Sequence, residues 1–200
     1  MGDDSTAHTA EPRGAGALAG FLVFALLMFP AHEMAHYITY RALGIHVQMT
    51  LNTASPSDRV LRRPIAELAG PLFNLGVAAI SAVLFLKTSA RSWWQRELSL
   101  AACLMRLDIY AVILLATLIT GSGMSLGNDE PIAARLWGLP SLTLVFVLLV
   151  PFLWIAVTVA WSSWRAWSSL GAQFVVRAII MFAVGVLVGN VLDPWLFSRH

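Results

Sequence analysis

Two histidines and a glutamate lie within one short segment, His32-Glu33-Met34-Ala35-His36. If this segment is helical, residues four apart share a face, so both imidazoles can bind one metal ion. Neutral imidazole nitrogens bind zinc at about 2.0 to 2.1 Å, and a carboxylate beside the first histidine can take a proton from water. Zinc lowers the pKa of water towards about 7 and polarises carbonyl groups. The segment therefore predicts zinc-dependent peptide hydrolysis without a covalent intermediate.

The surroundings of these residues are apolar. An isolated histidine in such a segment is usually a polar group facing a neighbouring helix. Two histidines and a glutamate at membrane depth cost several kcal/mol in desolvation unless a partner compensates for it, and a divalent cation compensates for all three. We therefore predict a zinc cofactor bound by His32 and His36, with Glu33 as the catalytic base.

A catalytic zinc needs a third protein ligand and an open position, and the sequence offers two aspartates for that place. Asp108 lies within an apolar segment beside Arg106, where an ordinary buried ion pair would also account for it. Asp129 follows a glycine-rich stretch and precedes Pro131, in a region where a helix is expected to break. Its neighbour Glu130 is also a possible ligand, and spacing alone does not separate them.

The composition assigns the whole chain to a membrane. Of its 200 residues, 58% are hydrophobic and 12% are charged, and the mean hydropathy is +0.73. A water-soluble domain of this size is far less apolar. The net charge of +2 comes from a few basic residues at the ends of apolar segments, which is typical of contact with a lipid bilayer and implies no nucleic-acid partner.

Five apolar segments reach or approach the roughly 20 residues that a spanning helix needs. They are 15–43, 65–86, 98–119, 141–161 and 174–192. Between the first two, apolar and polar residues alternate over Ile45 to Leu51 and predict a short strand, which Ser55 to Asp58 would end in a turn. We thus expect an all-α membrane protein of about five transmembrane helices, with a short membrane-edge β-strand or hairpin between the first and second.

Three parts of the chain follow from this pattern. They are a polar N-terminal tail (1–14), a core of three spans with the strand and the aspartate loop (15–140), and two additional C-terminal spans (141–200). Tryptophans in 88–97 and 161–169 predict interfacial belts. Basic residues occur in both of the first two loops, so their distribution does not decide the orientation; these residues are Arg41, Arg59, Arg62, Arg63, Lys87, Arg91 and Arg96.

A second motif stands at the start of the second span, where the sequence reads Glu67-Leu68-Ala69-Gly70-Pro71-Leu72-Phe73-Asn74. Together with the histidine pair and the intervening strand, it resembles the site-two protease family of intramembrane zinc metalloproteases, in which a histidine helix and an edge strand precede an Ala-Gly-Pro-x-x-Asn element. Glycine permits close backbone approach, proline frees a carbonyl, and an asparagine amide can hold a substrate backbone or an oxyanion. The resemblance covers about residues 15–137.

The resemblance implies a set of roles. Gly70, Pro71 and Asn74 would form the substrate-binding or oxyanion element, and Asp129 would be the third zinc ligand, with Asp108 as the alternative. The family's Leu-Asp-Gly motif is degenerate here, since Glu130 stands where glycine is usual. The substrate would be a single-span membrane-protein helix unwound against the strand near 45–51. The zinc site would lie within the bilayer and face its cytosolic side. The membrane would be the plasma membrane of a prokaryote.

Two other functions are compatible with the sequence. A catalytically silent, protease-like scaffold that binds partner helices is one, and the degenerate third motif favours it. A metal transporter is the other, because paired histidines and intramembrane carboxylates can line an ion path. A transporter should carry such groups on several spans, whereas the later spans have almost none.

Overall fold

The computed structural model describes residues 15–56, 58–88, 92–120, 128–163 and 167–197. The predicted tail 1–14, most of the glycine-rich stretch before Asp129, and Trp164 lie outside the described residues. Helices dominate the remainder; in chain order they are α1 (Ala15–Ala42), α2 (Pro64–Glu67), α3 (Ala69–Lys87), α4 (Trp93–Thr120), α5 (Asp129–Leu136), α6 (Thr143–Ser163), α7 (Trp167–Leu187) and α8 (Asp193–Phe197). A short π-helix, Val188–Leu192, joins α7 to α8.

Among the described residues, five helices are long and apolar enough to cross a membrane: Ala15–Ala42, Ala69–Lys87, Trp93–Thr120, Thr143–Ser163 and Gly171–Phe197. Their outward faces carry large apolar side chains that are half exposed or more, such as Leu27, Val150 and Ile179. Lipid contact accounts for such surfaces, which a water-soluble protein would bury. The predicted all-α, multi-pass membrane fold is confirmed.

Helix α4 is the centre of the bundle, since it packs against α1, α3, α6 and α7. Its stretch from Leu100 to Met105 is buried on all sides. A spanning helix that is enclosed in this way can carry polar groups without exposing them to lipid, and α4 carries Glu97, Arg106 and Asp108. It is therefore the element that brings charged groups to the interior.

The predicted strand is present but is shorter than expected. Strand β1 (Gln48–Met49) pairs antiparallel with β2 (Ala54–Ser55), so Ser55 belongs to a strand and the predicted turn at that residue was wrong. The turn between the strands is held by Asp193, whose Oδ1 accepts from the backbone N–H of Leu51 at 2.7 Å. The last span thus anchors the hairpin.

Helix α4 begins at Trp93, within the segment of the first predicted tryptophan belt; Trp94 is exposed, whereas Gln95, Arg96 and Glu97 are buried. Glu97 is fully buried and accepts from Arg177 of α7 at 2.7 and 2.9 Å and from Arg96 at 2.8 Å. Arg96 is therefore a buried, paired residue of a helix and not a loop charge. Trp93 lies against Gly20 of α1, where any larger residue would collide with its ring.

Candidate metal centre

Helix α1 places His32 and His36 one turn apart, as the spacing predicts. Both side chains are buried, at 2% and 3% exposure, and their Nε2 atoms lie 3.1 Å apart. The helix is continuous through Pro30, so the pair sits on an unbroken face. Two imidazole nitrogens this close together repel each other through their lone pairs unless a proton or a cation lies between them.

Helix α5 brings the third polar group to this pair. Asp129 is its first residue, and Oδ2 of that side chain lies 3.1 Å from Nε2 of His32 and 3.4 Å from Nε2 of His36. Helix α5 packs against α2 and α6, which fixes its amino end beside α1. Of the described residues, His32, His36 and Asp129 form the one group of three whose donor atoms are close enough to hold a metal ion.

The separations of these donor atoms fit zinc. Donors at about 2.0 to 2.1 Å from a tetrahedral ion lie about 3.3 to 3.4 Å from one another. The observed separations of 3.1, 3.1 and 3.4 Å lie close to that range. Two imidazoles and one carboxylate leave a fourth position open, as catalytic zinc sites do.

A carbonyl group orients His36 for this role. Nδ1 of His36 donates to the carbonyl oxygen of Ala66 at 2.6 Å, and because a carbonyl only accepts, Nδ1 must carry the proton. In the neutral ring, Nε2 then presents its lone pair to His32 and Asp129. Ala66 belongs to the single-turn helix α2, which a single residue, Leu68, separates from α3. Such outer hydrogen bonds fix the tautomer of metal-binding histidines.

Gly70 provides the space that the site needs. A Cβ atom built on Gly70 would lie 2.5 Å from Nε2 of His32 and would also collide with the ring of His36. Real Cβ atoms essentially never approach another heavy atom closer than 3.0 Å. The resemblance gave Gly70 a role in substrate binding, whereas in the structure it lies directly against both imidazoles.

The electrostatics of Asp129 favour its charged form. Burial would raise the pKa of this carboxyl, but the positive charge that His36 carries when its ring is protonated and a hydrogen bond with His32 hold the pKa well below its usual range. Nη1 of Arg106 adds a positive charge 3.3 Å from Oδ2. The side chain is 22% exposed, so water has access to this edge of the site.

Glu130 is engaged elsewhere. Its carboxylate is fully buried and accepts from Nη2 of Arg106 at 2.5 Å and from the hydroxyl of Tyr110 at 2.6 Å. Arg106 therefore links Glu130 to Asp129, so α4 and α5 are joined beside the histidines. Arg106 and Tyr110 were not predicted to be part of the site; the available signal was a cation within an apolar span, which requires a buried partner.

Asp108 lies away from the histidine pair. It is two residues beyond Arg106 on α4, and side chains at that spacing point to different sides of a helix. The expectation that an arginine pairs with Asp108 is not met, since Arg106 contacts the acids of α5. Oδ2 of Asp108 is buried with no hydrogen-bond partner among the described residues.

The remaining predicted residues lie on α1 and α3. Glu33 is 9% exposed, and its carboxylate has no hydrogen-bond partner in the described part of the chain. Asn74 is fully buried, with Nδ2 donating to Sδ of Met105 at 3.2 Å, and its Oδ1 has no hydrogen-bond partner among the residues that the structure describes. Pro71 is buried beside Gly70 in the first turn of α3. The structure thus gathers His32, His36 and Asp129, with Gly70 against them, and leaves Asp108 apart.

Comparisons of the chain with family models, with curated proteins and with solved structures found no match.

Proposed function

We propose that this chain is an intramembrane zinc metalloprotease of the site-two protease type, which hydrolyses peptide bonds of membrane-protein substrates within or next to the bilayer. The observation that carries the proposal is the convergence of His32 and His36 from α1 with Asp129 from α5, at donor separations that suit zinc. These three residues would hold the ion. Zinc, when bound, would activate water and polarise the scissile carbonyl.

Glu33 is the best candidate for the general base. It is adjacent to His32 on α1 and is nearly buried, and no described residue occupies its carboxylate. A carboxylate without a partner is free to take a proton from the attacking water and to deliver it to the departing amine. General acid–base groups of this kind contribute about 10²- to 10⁴-fold to a rate. The structural acids Glu97 and Glu130, by contrast, are fully paired.

The hairpin supports the choice of substrate. Peptide bonds in a helix are shielded, so a protease must offer a substrate backbone replacement hydrogen bonds. Within the described residues, β1 has β2 as its single strand partner, which leaves the other edge of β1 unpaired. That edge is a suitable place for an unwound segment of a single-span substrate.

The charge distribution supports a site that faces the cytosol, and the membrane that we propose is the plasma membrane of a prokaryote. With Arg96 buried in α4, the loop after α3 loses one of its basic residues, whereas the loop after α1 keeps Arg59, Arg62 and Arg63. An excess of Lys and Arg marks cytoplasmic loops. His36 lies near the end of α1 that leads into the more basic loop.

One observation favours the scaffold alternative. Nη1 of Arg106 lies 3.3 Å from Oδ2 of Asp129 and 3.4 Å from Nε2 of His32. A guanidinium at this place supplies a positive charge to the same donors and would compete with a metal ion. A chain that works without zinc would keep this arrangement and would bind partner helices without cutting them.

The test is cleavage of reconstituted single-span substrates by the purified chain in liposomes. The proposal predicts cleavage that stops with a zinc chelator and returns with zinc. Glu33→Gln should lower the rate at least about 100-fold while the zinc content stays near one per chain. Cleavage of no substrate by a chain that still binds single-span helices would favour the scaffold, and zinc flux across the liposome membrane would favour the transporter.

A further inference from the structure

A groove of about 470 Å³ lies beside the candidate metal centre, between α1, α4, the last span and the hairpin turn. Most of its lining is apolar, from phenylalanine, methionine, isoleucine and valine side chains. Four residues bring polar groups into it: Asn52, Asp108, Asn128 and Asn190. A small number of polar groups in an apolar cleft is the pattern of a binding site with built-in specificity.

Asp108 is the charged residue of this groove. Met105, Asp108, Ile109 and Val112 follow the spacing of one helix face, so Asp108 points the same way as the apolar lining of α4. Oδ2 is buried without a hydrogen-bond partner, and no described Lys or Arg lines the groove. An intramembrane carboxyl group without a partner is costly, so the groove is complementary to a positive charge supplied from outside it.

The lining of the groove reaches the residue that precedes the metal-centre aspartate, and the rim of the groove carries exposed apolar side chains. Asn128 lines it and directly precedes Asp129, and Asn52 belongs to the turn of the hairpin. At the rim, Val112 is 43% exposed and Phe182 is 56% exposed. A chain segment that enters from the lipid side would therefore lie in a groove lined by both Asp108 and Asn128, the residue before Asp129.

We propose that this groove receives the membrane segment of the substrate and that Asp108 selects a lysine or arginine close to the bond that is cut. The amide side chains of Asn52, Asn128 and Asn190 would bind backbone groups of the unwound segment. This inference rests on the proposed protease function, because it assigns the specificity of that reaction. Asp108 is thus a specificity-determining residue and not a zinc ligand.

The experiment places Lys, and in parallel Met, at successive positions around the cleavage site of one single-span substrate. Methionine keeps much of the length of lysine and removes its charge. For the wild type, kcat/KM should be at least about tenfold higher for Lys than for Met at one position, as expected for a buried ion pair. Asp108→Asn should reduce that ratio to about one.

Asp58→Asn serves as the matched control, since Asp58 caps an exposed turn outside the groove and asparagine caps equally well. It should keep the wild-type ratio. A wild type that cleaves Lys and Met substrates equally at every position would overturn the inference while leaving the protease intact. A Lys preference that persists in Asp108→Asn would also overturn it, and failure to cleave any substrate would overturn the proposed function as well.

Discussion

Replacing Gly70 with alanine should remove metal binding without removing the fold. The added Cβ would lie 2.5 Å from Nε2 of His32, whereas ordinary van der Waals contact begins at 3.4 Å. The imidazoles or the start of α3 must therefore move by at least the difference, 0.9 Å, because other ring atoms of both histidines lie still closer. Zinc–ligand distances tolerate about 0.2 Å, so a displacement of this size breaks the donor geometry.

The expected loss of zinc affinity in Gly70→Ala follows from that displacement. Changes that only disturb the support of a zinc ligand lower metal affinity about 10- to 100-fold. Gly70→Ala displaces a ligand itself, so we expect a loss of affinity of at least about 100-fold. Alanine in place of glycine also favours a helix by about 1 kcal/mol, so the helix propensity of α3 should not suffer.

The assay is a zinc titration against a chromophoric chelator in detergent, with the thermal midpoint as a check of folding. Gly76→Ala is the matched control, because Gly76 lies in the same helix and nothing lies within 4 Å of its added Cβ. It carries the same change in helix propensity and should bind zinc like the wild type. Wild-type zinc affinity in Gly70→Ala would refute the claim that Gly70 makes room for the metal.

Three further predictions concern the parts that support the site. Arg177→Met leaves Glu97 buried beside a single arginine and should lower the free energy of unfolding by about 3 kcal/mol in denaturant titrations; a loss below about 1 kcal/mol would contradict this. Asp193→Ala removes the acceptor of the Leu51 N–H and should speed hydrogen exchange at that amide at least about tenfold, while an unchanged rate would place the anchor elsewhere. Burial raises the pKa of Glu67, so the folded state binds this proton more tightly than the unfolded state, and the stability that this group contributes falls as the pH rises above the unfolded pKa near 4.5. The thermal midpoint of Glu67→Gln should therefore fall less between pH 5 and pH 8 than that of the wild type. An equal fall in both proteins would be evidence against the raised pKa.

The helices and the histidine pair could be predicted because their signals are local. Apolar length defines the spans, and spacing by four residues defines the shared face of His32 and His36. The hairpin also had a local signal in its alternation, but its turn is anchored by Asp193, which is more than a hundred residues away. Local patterns do not carry that information, so the strand was predicted too long and Ser55 was assigned to a turn.

The choice between Asp129 and Asp108 could not be made from spacing. It depends on how α5 packs against α2 and on which side of α4 faces α1, and both are tertiary facts. The buried pair of Glu97 and Arg177 was missed for the same reason: the two residues come from different spans. A charged residue near the end of a predicted span can face the lipid headgroups or pair with a charge on another span, and only the packing of the helices decides between the two.

The metal content of the purified chain is the decisive measurement for the proposed zinc site. The isosteric variants Asp129→Asn and Asp108→Asn form a matched pair, since each removes the charge of one carboxylate, on α5 and on α4 respectively. We expect close to one zinc per chain in the wild type and in Asp108→Asn, and little or none in Asp129→Asn. A wild type without zinc, or zinc that is retained in Asp129→Asn and lost in Asp108→Asn, would contradict the site formed by His32, His36 and Asp129.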